Sequence, residues 1–207
     1  PGNIWHLLGR AYLARQEGVE TLSLSLSMIL EIMQTITAAL IITAVSLIFW
    51  QPEIVSVTWL LCLVPLLSCY VWPQVLHRPI ILALQLTRQK HTLFSLQRRD
   101  LFALLPGYCV TWLAYGFGLY MLVYSIYPLP LTVFPSIAGI FAIAWVVGFL
   151  SFITPSGLGV REGVLGYLLA FLMPTPIALL AALLARVWLT MAELGCTAIA
   201  LWIKRSR

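Results

Sequence analysis

The sequence predicts an all-α, polytopic integral membrane bundle with re-entrant or broken helices and about five to six membrane segments. Three observations lead there. The chain is 61% hydrophobic and only 9% charged, where a soluble domain carries roughly 25% charged residues. Its mean hydropathy is +0.98. Its apolar residues fall in sustained runs of about 20, the length that crosses a bilayer as a helix, and these runs do not alternate as barrel strands do.

Leu22 to Trp50 is the first run, interrupted by Glu31 and Gln34. "QPE" at 51–53 is a turn, and Ile54 to Trp72 is the second span. Trp50, Trp59 and Trp72 lie toward its ends, as interfacial aromatics do. Residues 73–100 differ: they hold His77, Arg78, Arg88, Lys90, His91, Arg98 and Arg99. Leu82, Leu86, Leu93 and Leu96 recur there at helical spacing. We read the segment as a cytoplasmic amphipathic connector lying on the inner surface, with a plain cytoplasmic loop as the alternative. Leu101 to Tyr127 is the third span, "PLP" at 128–130 turns outside, and Leu131 to Ile153 is the fourth. A short run, Val164 to Met173, and a long one, Ile177 to Ile203, follow. All 207 residues are expected to form a single transmembrane domain.

The net charge is +5, with basic residues gathered near Arg10 and Arg15, in the 73–100 connector and in the tail "KRSR". The positive-inside rule places these on the cytoplasmic side of the cell (inner) membrane. Anionic lipid headgroups are the expected partners; no aromatic–basic pattern suited to nucleic acid occurs. Cys62, Cys69, Cys109 and Cys196 sit apart within apolar runs, so they read as packing residues rather than as disulfides or metal ligands. The chain begins at Pro1 without a signal peptide, and an upstream part is expected to precede it.

Charges and backbone breakers coincide in "FITPSGLGVREGVL", residues 152–165. If 73–100 and the tail are both inside, the chain must cross outward between the fourth span and the last run. Only Val164 to Met173 remains for that crossing, and ten helical residues reach ~15 Å, half of a ~30 Å core. The motif therefore dips to mid-depth, or the short run belongs to a re-entrant helix. Irregular backbone at that depth must line a protein-covered or watery cavity. A loose echo links "PGNIWHLLGRAYLA" with "PSGLGVREGVLGYLLA"; paired broken helices of this kind meet at midplane sites in transporters, although chance accounts for it equally well.

Ionisable residues inside a membrane are candidates for a site. Arg161 and Glu162 lie at the start of a helix, where unpaired N–H groups carry partial positive charge. Gly157 and Gly159 permit close approach, and a guanidinium grips phosphate in a bidentate manner. Alternatively Arg161 snorkels to the interface and Glu162 caps its own helix. Arg186 and Glu193 share a face of the last span but lie ~10 Å apart along it. Each therefore needs a partner from another element, with Arg161, Glu162 and Glu31 available, in a site or in a structural ion-pair network. No HExxH, GxSxG, P-loop or CxxC motif occurs; no catalytic residue, metal or cofactor is expected.

At these residues the sequence resembles the lysylphosphatidylglycerol synthase transmembrane region, a flippase-like membrane family. "PSGLGVREG" resembles its P-x-G-x-G-x-R-E signature, "PGNIWHLLGRAYLARQEGV" its earlier segment, and "LLARVWLTMAELG" its final arginine-bearing helix, in the same order along nearly the whole chain. The resemblance implies a bundle with re-entrant helices that moves anionic or aminoacylated phospholipids, or lipid-linked substrates, between leaflets. It also implies that Pro155, Gly157, Gly159, Arg161 and Glu162 line a central cavity, with Arg186 facing them and Arg10 in the earlier segment. Family domains run longer, so the first spans are expected to be missing. Ile32 and Gln34 depart from the charged pattern beside Glu31. These residues include no soluble aminoacyl-transfer domain, so synthesis of a lysyl-lipid by this chain is not expected. The other role the family implies is a membrane module presenting lipid to a separate transferase. A second copy of the chain is a further candidate partner.

Overall fold

A computed structural model describes residues 21–49, 98–151 and 157–205. These form α1 (Thr21–Leu47), α2 (Arg98–Ile126), a 3-10 turn (Leu131–Val133), α3 (Phe134–Leu150), α4 (Val160–Leu169) and α5 (Thr175–Arg205), with no strand among them. Four stretches are long and apolar enough to cross a bilayer: Ser27–Leu47, Phe102–Ile126, Leu131–Leu150 and Thr175–Ala200. The expected span at 54–72, the connector up to residue 97, Arg10 and Pro155 lie outside the described residues.

The sequence boundaries shift in two places. Arg98–Asp100, read as the end of the connector, form the first turn of α2. Hydropathy marks where lipid begins, whereas backbone hydrogen bonding carries the helix further. The short run expected at Val164–Met173 is helical from Val160 to Leu169 instead. It starts early because Gly159 at φ +85° turns the chain into the helix and Glu162 caps it. Residues 170–173 then turn back over the last carbonyls, with Met173 N–H donating to Leu169 O (3.1 Å), before Pro174.

The centre of the bundle is α3. Its window is 56% buried, against 22–33% for the other three spans, because α1, α2 and α4 all pack on it. Small residues make that possible. Without a hydrophobic drive between helices in lipid, association depends on close packing and interhelical hydrogen bonds. A Cβ on Gly116 of α2 would sit 2.5 Å from the Ala138 Cβ of α3. On the other side, Gly139 takes Ser46 and Thr43 of α1 against its backbone. The Thr43 hydroxyl donates to Ala39 O within α1 (2.8 Å) and to Gly139 O across the interface (3.3 Å).

Helix directions follow from paired contacts. Gly116 meets Ala138, while Phe117 and Tyr120 pack on Phe134 and Trp112 on Trp145, so α2 and α3 are antiparallel. Trp112 Nε1–H donates to Thr35 O of α1 (3.0 Å), and Thr43 lies at Gly139. α1 therefore also runs opposite to α3 and parallel to α2, and Leu47 and Arg98 lie at opposite ends of the bundle.

Candidate functional site

The site begins with the two glycines before α4. Gly157 (φ +65°) and Gly159 (φ +85°) hold left-handed backbone that residues with a Cβ rarely adopt. At Gly157 there is a second reason for glycine: a Cβ there would run into the Gly148 carbonyl of α3. The turn thus seats the start of α4 against the last turn of α3, and Gly159 becomes the N-cap of α4.

Glu162, the third helical residue, reaches back so that Gly159 N–H donates to its Oε2 (2.7 Å), satisfying one of the orphan donors of the helix start. Its other oxygen, Oε1, faces Arg186 Nε of α5 at 3.5 Å. Oε1 is buried and accepts no hydrogen bond, so this contact is an ion pair rather than a formed hydrogen bond. With side-chain exposures of 13% and 24% for Glu162 and Arg186, the pair is largely shielded from its surroundings. Arg186 is the twelfth of the 26 residues in its candidate span, near the middle.

Arg161 is placed differently. Its backbone and Cβ lie against Gly148, where an added Cβ would come within 2.8 Å of the Arg161 Cβ. Its Cζ lies 5.1 Å from the ring centroid of Phe141, the eighth of the seventeen residues of α3. The side chain therefore runs along α3 from its end toward its middle, away from the nearer end of the span. A side chain snorkelling to that end would run the other way. Among the described residues no hydrogen bond or ion pair engages its guanidinium.

Phe141 is 2% exposed and belongs to an aromatic wall. Tyr115 stacks on it at 6.0 Å, Trp112 meets its edge at 6.1 Å, and Trp145 joins Trp112 at 5.4 Å and stacks on Phe149 at 5.0 Å. A guanidinium on an aromatic face is held by the ring quadrupole, most strongly where water is excluded.

Three residues named from sequence, Arg161, Glu162 and Arg186, thus fall in one cluster, with Gly157 and Gly159 shaping its edge. Glu193 is exposed on α5, two turns from Arg186 and not in contact with it. Glu31 lies on α1, where its carbonyl accepts from the Thr35 hydroxyl (2.7 Å). Sequence reasoning missed Phe141, Tyr115 and Gly148. Phe141, Trp145 and Gly148 are spaced to share one face of a helix. That face is legible in sequence, but its packing against Arg161 is not. No group of His, Cys, Asp and Glu suited to a metal occurs among the described residues.

Helix lengths, composition and buried mid-span charges define a multi-pass helical membrane protein. No protein-family profile, curated protein or solved structure matches the chain.

Proposed function

We propose that this protein binds the phosphate-bearing headgroup of an anionic phospholipid or lipid-linked substrate near mid-bilayer and moves it between the leaflets of the cell membrane. The observation that carries this is the Arg161 guanidinium: it sits at the middle of α3, half-buried, over Phe141, with no anion paired to it among the described residues. An ionised side chain at this depth is costly, and an anionic ligand would offset that cost. In this reading α4, ten residues long and ~15 Å, is one half of a re-entrant or broken crossing. Its glycine turn lets the headgroup approach while the acyl tails stay in lipid. The motif resemblance at residues 155–162 supports the same substrate class.

The test compares wild type, Arg161→Lys and Arg161→Ala in phosphatidylcholine vesicles. NBD-labelled phosphatidylglycerol reports leaflet exchange, and thermal melts verify folding. A charge-assisted contact is worth roughly 1.5–3 kcal/mol, so Arg161→Ala should weaken lipid binding about 10-fold or more. Arg161→Lys, which keeps the charge without the fork, should fall between. A folded Arg161→Ala protein that binds and moves the lipid like wild type would overturn the proposal.

A further inference from the structure

Two tryptophans pack against other helices near the aromatic wall, and they are held differently. Trp112 is fastened: its Nε1–H donates to Thr35 O of α1 (3.0 Å). Trp188 of α5 is half-buried, and its indole N–H makes no hydrogen bond among the described residues. Its ring lies on Gly118 of α2, where an added Cβ would run into the far edge of the indole. Glycine at this position makes room for a ring rather than for a turn.

Gly118 follows Tyr115 by three residues, so the two share a flank of α2 about one turn apart. Tyr115 is the open member of the wall under Arg161. It is 43% exposed, against 2% for Phe141 and 4% for Trp112. The site therefore opens toward the flank on which Trp188 lies. Away from the ring that flank is bare. Gly107, Thr111 and Ala114 continue the Gly118 face toward the start of α2 and are exposed; toward its end Leu122 is half-buried and Ser125 exposed. On α5, Ala192, Gly195 and Ile199 continue the Trp188 face and are exposed as well. The indole thus bridges a seam between α2 and α5 whose α2 wall is open on either side of it.

Resting on the lipid-transport reading above, we propose that Trp188 is the gate of the headgroup path. Laid on Gly118, its ring closes the α2–α5 seam one turn beyond Tyr115. It must swing away for a headgroup held at Arg161 to continue to the other leaflet. A ring held by packing alone suits this role. Dispersion against the Gly118 backbone keeps it in place while the site is empty. No hydrogen bond breaks when it leaves, and a change of side-chain rotamer carries the whole indole off its seat. A bonded tryptophan such as Trp112 fixes the wall instead.

The experiment uses the full chain in phosphatidylcholine vesicles. NBD-labelled phosphatidylglycerol reports affinity and leaflet exchange, and thermal melts verify folding. Trp188→Ala removes the ring; Trp188→Phe keeps an aromatic side chain that lacks the indole's reach to Gly118. Both should exchange lipid several-fold faster than wild type, with affinity kept, because Arg161 and Phe141 remain. The reverse manipulation closes the seam. Gly118→Cys and Trp188→Cys, combined in a cysteine-free background, are joined by a short bis-methanethiosulfonate reagent. Exchange should stop while binding persists, and a reductant should restore exchange. This arm decides the matter if the single Trp188 variants melt early. Wild-type or slower exchange in folded Trp188→Ala, or exchange that continues after cross-linking, overturns the gate. The lipid reading then stands as long as exchange depends on Arg161. Exchange indifferent to Arg161→Ala removes the lipid reading, and the gate falls with it.

Discussion

Glu162 of α4 and Arg186 of α5 meet at 3.5 Å while the same carboxylate accepts the Gly159 N–H at 2.7 Å. One side chain therefore ends the glycine turn, starts α4 and fastens α4 to α5, the longest of the described helices. It does so at the depth where the Arg161 guanidinium lies over Phe141.

Removing one partner of this pair should cost more than removing both. Breaking a shielded ion pair from one side leaves an uncompensated charge and costs about 3–5 kcal/mol, and Glu162→Ala also loses a capping contact worth ~1 kcal/mol. Thermal melts of Glu162→Ala, Arg186→Ala and the double variant in detergent form the cycle. The double variant should be more stable than the sum of the single losses. Strict additivity would mean that the pair contributes no coupling.

The two turn glycines should differ in their tolerance of alanine. At Gly159 the space around a Cβ is open, so Gly159→Ala bears only the left-handed strain, about 1–2 kcal/mol. At Gly157 the same strain is joined by collision with the Gly148 carbonyl. Gly157→Ala should therefore lower the melting temperature clearly more than Gly159→Ala; equal shifts would contradict the seating of the turn on α3.

Phe141 should act through Arg161. Phe141→Leu keeps an apolar side chain in the core but removes the aromatic face, forfeiting about 0.5–2 kcal/mol of cation–π attraction. Affinity for labelled phosphatidylglycerol should fall roughly 2- to 30-fold. In an Arg161→Ala background the same substitution should have little further effect. A full additional loss in that background would assign Phe141 a role independent of the guanidinium.

Because α1 and α2 are parallel, single cysteines at positions 48 and 129, introduced into a cysteine-free background, should label from the same side of the membrane. A cysteine at position 98 should label from the opposite side. Labelling of 48 and 98 from one side would refute the helix directions read from Trp112–Thr35 and Thr43–Gly139.

Composition alone determined that this chain lives among lipids: long apolar runs have no other place to bury their surface, and intramembrane backbone must be helical. Four of the runs appear as spans close to their apolar limits, since the same residues that favour lipid set the helix length. Residue type and spacing also singled out Arg161, Glu162, Arg186 and Glu193, because a charge in an oily run is conspicuous whatever surrounds it. Partnership was another matter. That Glu162 faces Arg186, that no anion among the described residues pairs with Arg161, and that its head lies over Phe141 depend on which helix faces meet. Those faces meet where Gly148, Gly116 and Gly139 let backbones approach. An aromatic residue in an apolar helix carries no mark in sequence that separates a lipid-facing ring from one beneath a guanidinium. Only the packing of α4 between α3 and α5 made that distinction.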